Sequence, residues 1–186
     1  MSMFVRFAPW LVFLTVTSAT DWRYGLAAGL VAQIVAILAT TPRRIGVLDG
    51  AMLVYFLGLG VFALVEPSSP LQHAVGIASM VWIAAVSAIS ILVGHPFTLD
   101  VSRDGVTPEV ASSEFFLDIN RTIAWAWVGC FTAIAAVGII ARVADGQGLG
   151  TVGAVLLVLA ALNFTKHYPD RAMAAHHPTT PAPAAR

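Results

Sequence analysis

The stretch LQHAVGIASMVWIAAVSAISILVG, residues 71–94, decides the fold class, because none of its 24 residues is Asp, Glu, Lys or Arg. A helix needs about 20 apolar residues to cross the roughly 30 Å hydrocarbon core of a bilayer. The run is continuously apolar and lacks the period-two alternation of a barrel strand, which favours a membrane-spanning helix. His95 and Pro96 follow directly and mark its end.

The whole chain has the composition of this stretch. Of its 186 residues, 58% are hydrophobic and 11% are charged, whereas soluble domains carry about a quarter charged residues. We therefore predict an all-α fold, a polytopic transmembrane helix bundle over 1–169, followed by a disordered cytoplasmic tail at 170–186. Six spans are predicted, at 7–20, 24–41, 47–65, 71–94, 122–143 and 150–165, with a cytoplasmic loop at 95–121.

The first predicted span is the shortest and has a second interpretation. Arg6, the apolar run 9–16 and the small residues 18–20 also fit a cleaved signal peptide. Pro9 and Trp10 interrupt that run, and the next span begins almost at once. Six retained spans are therefore the favoured prediction.

The Lys and Arg residues are unevenly divided between the two sides of the six-span arrangement. With the N-terminus in the cytoplasm, eight of the ten lie on the cytoplasmic side. This is the bias described by the positive-inside rule. The sequence therefore predicts a multi-pass protein of the plasma membrane, the bacterial inner membrane, with both termini cytoplasmic. The eight residues are Arg6, Arg43, Arg44, Arg103, Arg121, Lys166, Arg171 and Arg186, and the other two are Arg23 and Arg142.

Small and polar residues inside the spans predict how the helices pack. Gly25 and Gly29 form a GxxxG pattern, which permits either dimerisation or close packing within the bundle, and packing is the favoured interpretation. Gln33 and Asn163 are the deep polar residues, and each is expected to form an interhelical hydrogen bond. No charged residue lies at the centre of a predicted span, which argues against a proton pump or a voltage sensor.

The loop 95–121 is the richest polar segment and holds five of the ten acids. Thr107-Pro108-Glu109 is typical of a helix start. From there we expect an amphipathic helix that lies at the membrane surface and continues into the fifth span.

Four residues of this loop form the candidate polar site. On the predicted helix, Glu114, Asp118 and Arg121 are spaced i, i+4 and i+7 and share one face. His95 ends the preceding span on the same side of the membrane. Such a group would bind a cation, a substrate or a partner protein, while the alternative is a solvated face whose charges Arg121 balances.

Sequence signals for known chemistry are missing. There is no P-loop, GxSxG or HExxH motif, and the single cysteine, Cys130, excludes an internal disulfide and a cysteine metal cluster. His73 and His95 are 22 residues apart, about 33 Å along a helix, which is too far for two ligands of one haem. Ten basic and ten acidic residues leave no net charge to attract nucleic acid. We therefore predict no catalytic residue, no cofactor, no metal and no nucleic-acid partner.

The segment 94–131 resembles known proteins. Gly94-x-Pro96-Phe97-Thr98 after a span, an interfacial helix, Asn120-Arg121, Trp125-x-Trp127 and Phe131 are similar to small uncharacterised bacterial inner-membrane proteins and resemble the intracellular septation protein A family. The resemblance implies a plasma-membrane protein with a role in the cell envelope and no established chemistry. The sixth span and the acidic loop depart from that family, and no catalytic residue carries over.

Three functions follow as hypotheses. The favoured one is a non-enzymatic, envelope-associated scaffold or partner subunit, which sits in the lipid bilayer and binds a membrane protein or further copies of itself. The second is a small oligomeric transporter or channel, which the six spans and small-residue faces would allow. The third is a membrane-embedded enzyme that uses the loop 95–121.

Overall fold

A computed structural model of the chain describes residues 3–39, 45–144 and 147–176, and these residues form helices and turns without a strand. The all-α fold class is therefore confirmed. Its α-helices, in chain order, are α1 (Met3–Ala19), α2 (Trp22–Ala39), α3 (Val47–Val65), α4 (Val75–Leu92), α5 (Leu99–Ser102), α6 (Pro108–Ala111), α7 (Glu114–Val143) and α8 (Gln147–His176).

Most of the long helices have the length and composition of membrane spans. Within the described residues, five helices of 18 or more residues are apolar enough to cross a bilayer, namely α2, α3, α4, α7 and α8. Helix α1 has 17 residues, and its apolar part is Phe7–Ala19. By these lengths and compositions the chain is a multi-pass membrane protein.

Helices α4 and α8 have boundaries that differ from the prediction. Helix α4 begins at Val75 rather than at residue 71, because Pro70–His73 form a separate 3-10 turn. Helix α8 continues through Pro169 to His176, so the first residues of the predicted disordered tail are helical. Residues 177–186 of that tail lie outside the described residues.

Helix α1 packs in the middle of the bundle. Phe13 is fully buried, and its ring lies 5.5 Å from that of Phe56 on α3. Trp10 donates a hydrogen bond to Ser79 on α4 at 3.0 Å, and Phe7 stacks on Trp127 of α7 at 5.5 Å between ring centroids. Since α1 also packs along α2, it contacts four other helices and forms part of the core.

The GxxxG pattern lies at the contact of α1 with α2. A Cβ atom on Gly29 would lie 2.7 Å from Phe56 Cε1 and 2.9 Å from Phe13 Cβ. A Cβ atom on Gly25 would collide with the Thr17 hydroxyl. The glycines therefore allow the helices to approach within the bundle, as the favoured interpretation predicts.

Tryptophan N–H groups join neighbouring elements of the bundle. Burial of an unpaired indole N–H in an apolar interior is costly, and each of these donors has an acceptor outside its own helix. Trp82, in the middle of α4, is one of them. The pairs are Trp10 with Ser79 Oγ at 3.0 Å, Trp22 with Pro67 O at 3.1 Å, Trp82 with Ala51 O at 2.9 Å and Trp127 with Thr165 Oγ1 at 3.0 Å.

Candidate functional site

The end of the bundle that carries residues 93–113, here named the loop end, begins with a sharp turn after α4. Gly94 has a φ of +80°, a conformation that favours glycine. The His95 N–H donates to Ser90 O at 2.9 Å, and the Gly94 N–H donates to Ile91 O at 3.0 Å. These two bonds form a Schellman motif, which ends the helix and turns the chain back towards the bundle.

The chain that follows is tied to α4 and α7. Phe97 is 2% exposed, and its N–H donates to Ser90 Oγ at 3.2 Å. The Thr98 hydroxyl donates to Asn120 O at 2.9 Å, and the Ser102 hydroxyl donates to Asn120 Oδ1 at 2.8 Å. Asn120 on α7 is itself buried. The first part of the loop is therefore held in place by buried hydrogen bonds rather than solvated.

Asp100 connects this loop to the start of α3. Its Oδ2 accepts a hydrogen bond from the Val47 N–H at 2.8 Å, and its Oδ1 lies 3.3 Å from His95 Nε2. The first N–H groups of a helix lack partners within the helix, and a negative charge there is favourable. Asp100 thus stabilises α3 and orients the His95 ring at the same time.

A second aspartate joins α3 to α2. Asp49 is 6% exposed, its Oδ2 accepts from the Gly46 N–H at 3.1 Å, and its Oδ1 accepts from Gln33 Nε2 at 3.3 Å. The interhelical hydrogen bond expected for Gln33 is therefore confirmed. The other amide atom, Gln33 Oε1, is buried and has no hydrogen-bond partner among the residues that the structure describes.

The four residues of the predicted polar site do not share one set of contacts. Glu114, Asp118 and Arg121 are exposed on α7, whereas His95 lies beside Asp100. Within the described residues, no ion pair joins Asp118 to Arg121, and none joins His95 to the other three residues of the site. The structure thus shows an exposed polar stripe and, apart from it, a histidine bound to the loop. That the stripe is a binding site stays a prediction.

The start of the predicted interfacial helix also differs. Thr107 makes no capping hydrogen bond to α6, and α6 is a single turn that ends at Ala111. A new helix starts after Ser113, whose Oγ accepts from the Phe116 N–H at 3.3 Å. The chain therefore breaks between α6 and α7, and Glu114 stands in the first turn of α7.

One carboxylate of α6 has a shifted pKa. The backbone N–H of Glu109 itself, and then the Thr107 hydroxyl, donate to the Glu109 carboxyl and lower its pKa. Glu109 therefore stays negatively charged to a lower pH than an isolated glutamate. It adds to the negative charge of the exposed loop end.

The opposite end of the bundle has a shallow polar cavity. Beside the cavity, the Arg23 Nε donates a hydrogen bond to Asp21 Oδ1 at 2.8 Å. This side-chain bond, and to a smaller extent a bond from the Arg23 backbone N–H, lowers the pKa of Asp21. Arg142 donates to the carbonyl of His73, which ties the end of α7 to the 3-10 turn. The cavity has a volume of about 410 Å³ and is lined by Thr17, Thr20, Asp21, Trp22, Gln72 and His73.

Sequence reasoning singled out His95 but missed the two aspartates that organise the loop end. Asp49 had a local signal, since it stands three residues after the helix-starting Gly46. Asp100 had none, because Val47 lies 53 residues away along the chain. Within the part of the chain that the structure describes, no three His, Cys, Asp or Glu residues are placed to hold a metal ion.

The function has to be inferred from the sequence and the structure of this chain. Comparison of the chain with protein-family models, with curated proteins and with solved structures found no match. The feature to be explained is a loop that is fixed on its inner side and charged on its outer side.

Proposed function

We propose that the protein is a non-enzymatic partner subunit or scaffold of the bacterial inner membrane, with a role in the cell envelope, and that it binds another protein through its loop end. The observation that carries this proposal is the contrast between the two sides of the loop. Its inward groups, Phe97, Thr98 and Ser102, bond to the bundle, while its charged groups other than Asp100, namely Arg103, Asp104 and Glu109, are exposed.

We define the loop-end surface as the exposed charged residues of this region with two exposed valines between them. Val106 is 37% exposed and Val110 is 47% exposed. Charged residues around apolar ones are typical of the rim and centre of a protein interface. Since the acids outnumber the bases, the matching partner surface is basic. The charged residues are Asp104, Glu109, Glu114 and Asp118 with Arg103 and Arg121.

The anchored loop also favours binding in energetic terms. Ordering a flexible loop on association costs free energy, and a loop that is already ordered avoids this cost. The bonds of Asn120 to the loop and of Asp100 to α3 provide that order before any partner arrives. This supports a docking surface more than a solvated face.

We expect that the negative charges of Glu114 and Asp118 can be removed without disturbing the fold. In the double variant Glu114→Gln, Asp118→Asn, we expect partner recovery from native membranes to fall at least about fivefold, because two exposed charges have been lost. Stability should change by less than about 0.5 kcal/mol, as is usual for exposed positions. Quantitative mass spectrometry after affinity purification measures the recovery, and thermal unfolding measures the stability.

The control is Glu66→Gln, which removes an exposed charge just past the end of α3, away from the loop end. It should leave partner recovery unchanged. Wild-type recovery should also fall when salt is raised from about 0.05 M to about 0.5 M, since salt screens exposed charges. Equal recovery of the double variant and the wild type would contradict the proposal.

The proposal requires the loop end to face the cytoplasm. Reporter fusions after Arg44, Asp104 and Lys166 should be cytoplasmic, and fusions after Ser69 and Gly146 should be external, because eight of ten basic residues then lie inside. Paired alkaline phosphatase and fluorescent-protein fusions make this measurement. A cytoplasmic signal at Ser69 would overturn the orientation.

A further inference from the structure

Helix α8 is far less enclosed than the other spans. Only 6% of its apolar window is buried, compared with 28–44% for the other four spans. It packs against α7, where a Cβ atom on Gly153 would lie 3.1 Å from Val137 Cγ1. The opposite side of α8 is open.

The open side of α8 has a regular pattern. Val152, Leu156, Leu159 and Asn163 follow one another at intervals of four, three and four residues, and all four are exposed. This spacing places them on one face, as at the a and d positions of a helix pair. We name these four residues the outer face of α8.

Asn163 is the polar member of this face, and it lies deep. In a hydrocarbon core of about 30 Å centred on the predicted span 150–165, Asn163 lies about 8 Å from the midplane and therefore roughly 7 Å from the nearer boundary. Thr165, just beyond it, accepts a bond from Trp127 in the interior of α7, which agrees with this depth. A short amide side chain cannot reach water over such a distance.

The Asn163 amide has no partner within the described protein. Its backbone carbonyl lies 2.9 Å from His167 Nδ1, but its side chain forms no hydrogen bond to the described residues. An amide without a hydrogen bond in hydrocarbon costs several kcal/mol. The outer face therefore contains one group that needs a polar partner at its own depth.

We propose that a second copy of this chain covers the outer face of α8, with the two helices parallel and the two Asn163 amides bonded to each other. Two copies inserted in the same orientation place Asn163 at the same depth, and a twofold axis along the membrane normal brings them together. An amide has both donors and an acceptor, so two identical amides satisfy each other. This goes beyond the proposed function, which concerns the loop-end surface.

Charges near the membrane boundary fit the same arrangement. Lys166 and Asp170 continue the pattern of the outer face by three and four residues, and both are exposed. In a parallel pair, Lys166 of each copy lies near Asp170 of the other, and opposite charges there are favourable.

Cysteine cross-linking of the full chain in native membranes tests the proposal. The background variant is Cys130→Ala, because Cys130 is the single cysteine. Added Leu159→Cys should give a covalent dimer with a short bis-maleimide. The matched control is Leu57→Cys, which is similarly exposed on α3 and should give little dimer.

The role of the amide is tested by Asn163→Leu and Asn163→Gln in the Leu159→Cys protein. The leucine variant should weaken dimerisation about tenfold, on the scale of one interhelical polar contact, whereas glutamine should retain most of it. Equal cross-linking at Leu159→Cys and Leu57→Cys, or no effect of Asn163→Leu, would overturn the proposal. A monomeric Asn163→Leu protein that still recovers its partner would leave the proposed function intact.

Discussion

Replacement of Gly29 by leucine should abolish the folded protein, and this is the largest effect that we expect from a single change. A Cβ atom alone would already lie 2.7 Å and 2.8 Å from two atoms of the Phe56 ring and 2.9 Å from Phe13 Cβ. Both phenylalanines are 0% exposed. Overpacking of a filled core costs about 1–3 kcal/mol per site and more for a large side chain, so we expect a loss of at least about 3 kcal/mol.

Gly58→Leu is the matched control. Gly58 also lies within a membrane helix, but no atom lies within 4 Å of the Cβ position that leucine would occupy. The control should elute and melt like the wild type, while Gly29→Leu should give no monodisperse protein in detergent. Size-exclusion chromatography and thermal unfolding followed by circular dichroism measure both. Equal behaviour of the two variants would show that the contact of α1 and α2 is not as described.

Helix boundaries were predictable where the signals are local. Residues 47–65 were predicted as a span, and α3 has these bounds, because Gly46 precedes the apolar run and Glu66-Pro67 follow it. Helix α7 could not be delimited in this way. Both Thr107 and Ser113 precede plausible helix starts, and their local sequences do not show that Ser113 provides the cap.

The candidate site was less predictable than the spans, because it is assembled from residues distant in sequence. Thr98 bonds to Asn120 across 22 residues, and Asp100 bonds to Val47 across 53. Periodicity shows which residues share a helix face, but it does not show which loop atom meets which helix end. The exposed stripe of Glu114 and Asp118 could be predicted from the sequence, because both residues lie on one helix and their spacing shows that they share a face.

Helix α1 shows the limit of hydropathy most clearly. It was the weakest predicted span because it is short and because Arg6, the apolar run 9–16 and the small residues 18–20 also fit a signal peptide, whereas Pro9 and Trp10 argued against cleavage. In the structure Pro9 is fully buried, and Trp10 bonds to Ser79. Trp10 is compatible with a core helix because Ser79 on α4 accepts its indole N–H.

This central position predicts a strong effect of Phe13→Ala. The Phe13 ring is fully buried and lies 5.5 Å from the Phe56 ring and 6.1 Å from the Tyr55 ring. Its removal leaves a cavity among these rings. Phe to Ala changes in protein cores cost about 3–5 kcal/mol, and we expect about 3 kcal/mol here because lipid also solvates the exposed ring in the unfolded state.

Leu11→Ala provides the comparison on the same helix, since Leu11 is 53% exposed. It should change the free energy of unfolding by less than about 0.5 kcal/mol. Reversible unfolding in mixed micelles, followed by tryptophan fluorescence, gives both values. If α1 were a removable leader rather than a core helix, both variants would unfold like the wild type, because neither side chain would be present in the folded bundle. A large loss for Phe13→Ala with none for Leu11→Ala requires that α1 is part of the folded core. The reason is that the Phe13 ring packs against both the Tyr55 ring and the Phe56 ring, which also contact each other.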